Sequence, residues 1–201
     1  MRLVALLLAS ALLIGAALMA CVRPVPPATR SQPRLIADDS VADDLRALAQ
    51  ETWARFLVAF AGRTDCFGDV RLTASFDLTD RAAYDPRQAT VTVRVPGTAA
   101  MLQSALIHEW AHHVEHQCPA HRELRPAFLA AQGISPDTPW RLDNAGASAQ
   151  ANAAGPAWAD TPSEQYAEAA IEVVLGHRPI PTTAHVRPAA VEVLAAWAAG
   201  R

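Results

Sequence analysis

The sequence predicts an α+β fold, with a small antiparallel sheet packed on helices. Three observations carry this prediction. Apolar residues recur at three- and four-residue steps through several long stretches, two short stretches alternate apolar and polar residues, and Pro and Gly mark the joins between them. The chain has 201 residues, enough for one domain with its own core and little more. It carries 17 basic and 20 acidic residues, a net charge of −3. No basic excess asks for nucleic acid, so none is expected as a partner.

The elements follow in chain order. Residues 1–20 read as a signal peptide: Met1-Arg2 gives a positive start, and residues 3–19 are almost wholly apolar. That run is marginal for a spanning helix, which needs about 20 apolar residues. Leu18-Met19-Ala20-Cys21 resembles the lipobox of bacterial lipoproteins. The resemblance implies cleavage before Cys21, lipidation of its thiol, and a mature protein held on the extracytoplasmic face of the cell membrane. An ordinary secretory signal or a short anchor are the alternatives, and all three place the rest of the chain outside the cytoplasm. In an oxidising compartment the remaining pair, Cys66 and Cys118, is expected to form a disulfide. Residues 21–37 contain Pro24, Pro26, Pro27 and Pro33 and read as a tether. The folded domain is then expected over residues 38–201.

A helix is expected over residues 40–61. Val41, Leu45, Leu48, Phe56 and Phe60 form its stripe, Thr52 leaves a gap, and Asp38, Asp39 and Ser40 are candidate caps. Val70, Leu72, Ala74 and Phe76 alternate with polar residues, as do Val91, Val93 and Val95. These predict two half-buried strands, paired antiparallel across a turn through Asp80, Asp85 and Pro86. Thr98 can cap a helix over residues 99–117, which Pro119 stops, and a short helix is expected over 121–131. Residues 132–161 lack a clear period, and so long a stretch is often functional. Its Trp140 and Trp158 suit either core packing or cover for a cleft, with core packing favoured. Thr161-Pro162 opens a helix ending at Gly176, and Pro188 opens the last, with Val191, Leu194 and Trp197 as its stripe.

The chemistry lies on the helix over 99–117. His108-Glu109-Trp110-Ala111-His112 is an HExxH motif. Residues four apart on a helix share a face, so two imidazoles can hold one metal ion. Glu109, one step round, can serve as general base for water at the open position. His113 points about 100° away and reads as a packing or surface residue. His116 lies too far along the axis to close round the same ion, and reads as solvated or as a support to the ligands. His121, His177 and His185 have no assigned place.

A catalytic zinc wants three protein ligands. Metzincins continue HExxHxxGxxH, but Glu115 and Cys118 stand at the Gly and last His positions, which excludes that pattern. A glutamate of a later helix is the alternative. Glu164, Glu168 and Glu172 lie on one helical stripe, so phase alone does not choose among them. Thr161 and Glu164 also fit a capping box, in which the carboxylate would face the helix start. The Glu164/Glu168 spacing resembles the second acidic helix of thermolysin-like gluzincins. Together with His108-Glu109-Trp110-Ala111-His112-His113 it also resembles the bacterial neutral zinc metallopeptidases whose active helix reads HExGHH. Glu168 stands where that family carries Asp. The resemblance covers two short helices. It implies one zinc ion bound by His108, His112 and Glu164, Glu109 as general base, Glu168 orienting a ligand imidazole, a zincin-like fold, and a peptide or protein substrate. The rival reading is a cell-envelope lipoprotein that binds zinc without hydrolysing anything; the carboxylate of Glu109, which a pure binding site does not need, speaks against it.

Overall fold

Four short strands form one mixed sheet in the order β1-β2-β4-β3. They are β1 (Leu35–Ala37), β2 (Val70–Ser75), β3 (Ala82–Asp85) and β4 (Thr90–Arg94). The computed structural model describes residues 32–141 and 156–201. The signal peptide, Cys21, most of the tether and residues 142–155 of the aperiodic stretch lie outside the described residues.

The α+β class holds, but the strand pairing differs from the expectation. β2 and β4 pair parallel, with Leu72 opposite Val91. The connection read as a turn contains a strand of its own, β3, which folds back antiparallel on β4 with Tyr84 opposite Val91. Asp85 makes that reversal: its Oδ1 accepts from the Arg87 amide at 2.8 Å. β3 is too short to display an alternation. β1 pairs parallel with β2, so the tether expected to run to residue 37 ends earlier. Pro33 already accepts a hydrogen bond from Trp53 Nε1 at 3.3 Å. Val70, Leu72, Val91 and Val93 line the buried face of the sheet.

The helices are α1 (Asp43–Ala59), α2 (Ala99–Gln117), α3 (His121–Gln132), α4 (Pro156–Ala159), α5 (Pro162–Leu175) and α6 (Pro188–Ala198); α1 packs on β1, and α2 on β3 and β4. α1 buries Leu45, Phe56 and Trp53, and Phe60 follows at its end. Thr52 fills the gap in the stripe, fully buried, with its hydroxyl donating to Leu48 O at 2.7 Å. The expected caps do other work: Ala42 is the N-cap, while Asp38 Oδ1 accepts from the Ser40 amide and Ser40 Oγ accepts from the Ala74 amide. These bonds fasten the start of the helix to β2.

α2 is central, packed on α1, α5, β3 and β4. Thr98 Oγ1 accepts from the Met101 amide at 3.3 Å and caps it. Its inner face carries Leu106, Ile107, Trp110 and Val114, all fully buried. Trp110 sits edge-on to Trp53 and Phe56, with centroids 4.9 and 5.7 Å apart. Cys66 and Cys118 form the expected disulfide, with Cα atoms 4.7 Å apart across 52 residues. It joins the segment after α1 to the end of α2. α3 and α5 end at Gly133 and Gly176, both in the left-handed conformation that glycine adopts without strain.

Candidate metal centre

α2 turns His108 and His112 to the side opposite Trp110. One helical turn separates them, and their ring centroids lie 4.9 Å apart. α5 faces them with its first turns. The Ser163 amide donates to Trp140 O at 3.0 Å, which fixes the start of α5 beside α2. Glu164 and Glu168, one turn apart, then meet the two imidazoles.

Three atoms converge. His108 Nε2 is 3.1 Å from Glu164 Oε2, His112 Nε2 is 3.2 Å from His108 Nε2, and His112 Nε2 is 3.4 Å from Glu164 Oε2. Donor atoms each about 2.0–2.1 Å from a shared zinc ion at tetrahedral angles lie roughly 3.3–3.4 Å from one another. The triangle, 3.1 to 3.4 Å on a side, is close to that size, and two imidazoles with one carboxylate are a donor set that zinc accepts. The electrostatics agree. Two imidazole nitrogens and a carboxylate oxygen pointed at one spot place lone pairs against lone pairs, an arrangement that a cation stabilises. In the metal-free chain protons supply that charge. Burial by itself would lower the His112 pKa, but the charge of Glu164 and hydrogen bonds to Glu115 and Glu164 push it up to about 9. Burial opposes the charge on Glu164 as well, yet His112 and His108 hold its carboxyl well below the usual range.

The outer ring nitrogens are also held. His108 Nδ1 donates to Glu168 Oε1 at 3.0 Å, and Arg178 forms an ion pair with the other oxygen of Glu168. His112 Nδ1 donates to Glu115 Oε2 at 3.2 Å. A proton held on each Nδ1 leaves each Nε2 free to coordinate. The His108 and Glu164 side chains are 12% and 17% exposed and Glu168 only 5%, so the first two keep some contact with solvent.

Glu109 is buried beside this group. Burial raises its carboxyl above the ordinary range, and the charge of Glu164 adds to the rise, while His108 and His112 oppose it. Glu164 is drawn to the imidazoles, which answers the capping-box alternative, and Glu172 is outside the ligand group found among the described residues. His113 points away, as expected. It is fully buried, its Nε2 donates to Gly68 O at 3.0 Å, and its Nδ1 accepts from Tyr84 Oη at 2.9 Å. It thereby pins α2 to β3. His116 is exposed beside Tyr84, His121 is in the core, and His177 and His185 are exposed.

Sequence reasoning missed one neighbour of the centre. Glu115 stood only as a departure from the metzincin pattern; its place one turn beyond His112 was the available signal. The two tryptophans divide: Trp140 is core, whereas Trp158 is half-buried and stacks near-parallel to His108, with centroids 6.1 Å apart. No family model, no curated protein and no solved structure matches the chain.

Proposed function

We propose that this chain is a membrane-anchored lipoprotein whose folded unit hydrolyses peptide bonds with one zinc ion held by His108, His112 and Glu164. The observation that carries the reading is the triangle of donor atoms, 3.1 to 3.4 Å on a side, with the buried carboxyl of Glu109 next to it on the same helix. Zinc held there would supply a Lewis acid and a water acidic enough to attack near neutral pH. Glu109 takes the proton that the attacking water gives up and passes it to the leaving amine. A carboxyl raised by burial suits a group that must gain and lose a proton in each cycle. Glu168 holds His108 in the tautomer that leaves Nε2 free. Among the described residues the edge strand β3 pairs on one side only, with β4, and an extended peptide can add to such an edge by main-chain hydrogen bonds. The membrane attachment rests on Cys21 and the apolar stretch before it.

The test is direct. Purified protein should bind one zinc ion per chain, and Glu109→Gln should retain the ion while losing peptidase activity. Full activity in that variant overturns the mechanism, and a wild-type protein without zinc affinity overturns the site. Cys21→Ser should abolish lipid labelling in cells; a wild-type mature chain without acyl groups overturns the anchor.

A further inference from the structure

We propose that Glu115 is the positioning residue of His112: it keeps the imidazole proton on Nδ1 against the competing claim of Arg141. The inference rests on the zinc reading above and assigns a role to a residue that the motif does not contain.

Glu115 lies on α2, one turn beyond His112, with its side chain 2% exposed. A carboxylate taken from water costs several kcal/mol unless donors replace its hydration. Here they do. Oε1 accepts from Trp140 Nε1 at 2.7 Å and from Arg141 Nε at 2.6 Å. Oε2 accepts from Arg141 Nη2 at 2.6 Å and from His112 Nδ1 at 3.2 Å. Arg125 stands 3.8 Å away. A purely structural position would be filled more simply by an apolar side chain. What the carboxylate adds is an acceptor for one imidazole.

The second half of the argument is the placement of Arg141. Its Nη2 is 3.3 Å from His112 Nδ1. A guanidinium only donates. Left alone with it, Nδ1 would become the acceptor and the proton of the neutral ring would move to Nε2, the atom that faces Glu164 and His108. The metal position would then be blocked by a proton. Glu115 prevents this in two ways: it engages Nε and Nη2 of the guanidinium, both at 2.6 Å, and it offers Nδ1 an acceptor. The two ligand histidines are thus supported alike. His108 is backed by Glu168 and Arg178, and His112 by Glu115 and Arg141.

The readouts are zinc affinity and the ¹⁵N chemical shifts of His112. In metal-free wild-type protein, at a pH where the ring is neutral, the shifts should report the Nδ1–H tautomer; an Nε2–H ring overturns the proposal without any variant. Glu115→Gln should weaken zinc binding about 10–100-fold, the usual cost of losing a ligand's hydrogen-bond partner, and shift the ring toward Nε2–H. Adding Arg141→Gln to that variant should recover part of the affinity, because the competing donor is gone. A merely structural Glu115 would instead lower the melting temperature of both variants and leave the zinc affinity of the folded fraction and the tautomer unchanged. Wild-type protein that binds no zinc would sink the metal reading itself, whereas zinc binding that is equal in wild type and Glu115→Gln would sink only this inference.

Discussion

His108 Nδ1 lies 3.0 Å from Glu168 Oε1, while the opposite nitrogen of the same ring lies 3.1 Å from Glu164 Oε2. One imidazole therefore spans two glutamates of α5, and the two have different tasks. Glu164 sets one oxygen 3.1 and 3.4 Å from the two Nε2 atoms, the place of the ligand proposed above. Glu168 touches only the outer nitrogen and is itself held by Arg178. Glu164→Gln should nearly abolish zinc binding, and Glu168→Gln should weaken it about 10–100-fold. Titration calorimetry with zinc separates the two. Normal affinity in Glu164→Gln together with lost affinity in Glu168→Gln would reverse the assignment.

The disulfide gives a second measurable consequence. Cys66 and Cys118 close 52 residues, a loop whose constraint in the unfolded chain is worth roughly 4 kcal/mol in the chain-entropy model. Cys118 also ends the helix that carries both histidines. Cys66→Ser/Cys118→Ser should lower the unfolding free energy by a few kcal/mol, measured in urea, with α2 remaining folded at low temperature. An unchanged urea midpoint would show that the bridge constrains nothing.

Much of this was legible in the sequence because it is local. α2 announces itself through Thr98, the HExxH spacing and Pro119, all within one element. The choice among Glu164, Glu168 and Glu172 was not legible, since all three share a stripe and differ only in which turn of α5 crosses α2. That crossing is fixed by tertiary contacts such as the Ser163–Trp140 bond. Glu115 was missed for the same reason. It is one turn from His112, but its other partners, Trp140 and Arg141, lie 25 and 26 residues further on. β1 and β3 escaped notice because three or four residues cannot show a period of two. The expectation that β2 and β4 pair antiparallel followed from overlooking β3, which takes the antiparallel place beside β4.

Trp158 should shape substrate binding. Its half-buried ring stacks on His108, where an apolar wall would meet a substrate side chain. Trp158→Ala should raise KM for peptide substrates several-fold and leave both zinc affinity and thermal stability close to wild type. If zinc affinity falls instead, the ring is a support for His108 and not a wall for substrate.

Acid should destabilise the fold through His121 before it reaches the carboxylates. The ring is fully buried, edge-on to Tyr166 at 4.5 Å and to Trp140 at 5.3 Å, and its Nε2 has no hydrogen-bond partner among the described residues. Burial, with the charges of Arg125 and Arg141 adding to it, pushes its pKa down to about 3. In the unfolded chain a histidine titrates near 6.5. Between those values the unfolded state binds a proton that the folded state refuses, so stability falls as pH drops below about 6.5 and keeps falling toward about 3. One such group removes up to about 1.4 kcal/mol per pH unit. His113, lowered by burial as well, adds to the same slope. His108 and His112, both raised in the metal-free chain, are charged in the folded state throughout; near pH 6.5 they offset part of the loss, and about one pH unit lower, where the unfolded chain is charged at these positions too, they add none. Glu115 and Glu164, held low, contribute losses only below about pH 4.5, where unfolded carboxylates take up protons. The informative range is therefore about pH 5.5 to 4.5, with chelator present so that loss of metal does not intrude. Urea midpoints of metal-free wild-type protein should fall steadily across it. His121→Leu should flatten that slope even if the variant is less stable at neutral pH. An equal slope in wild type and variant would mean that His121 is charged in the folded protein, and that its aromatic surroundings do not exclude the proton.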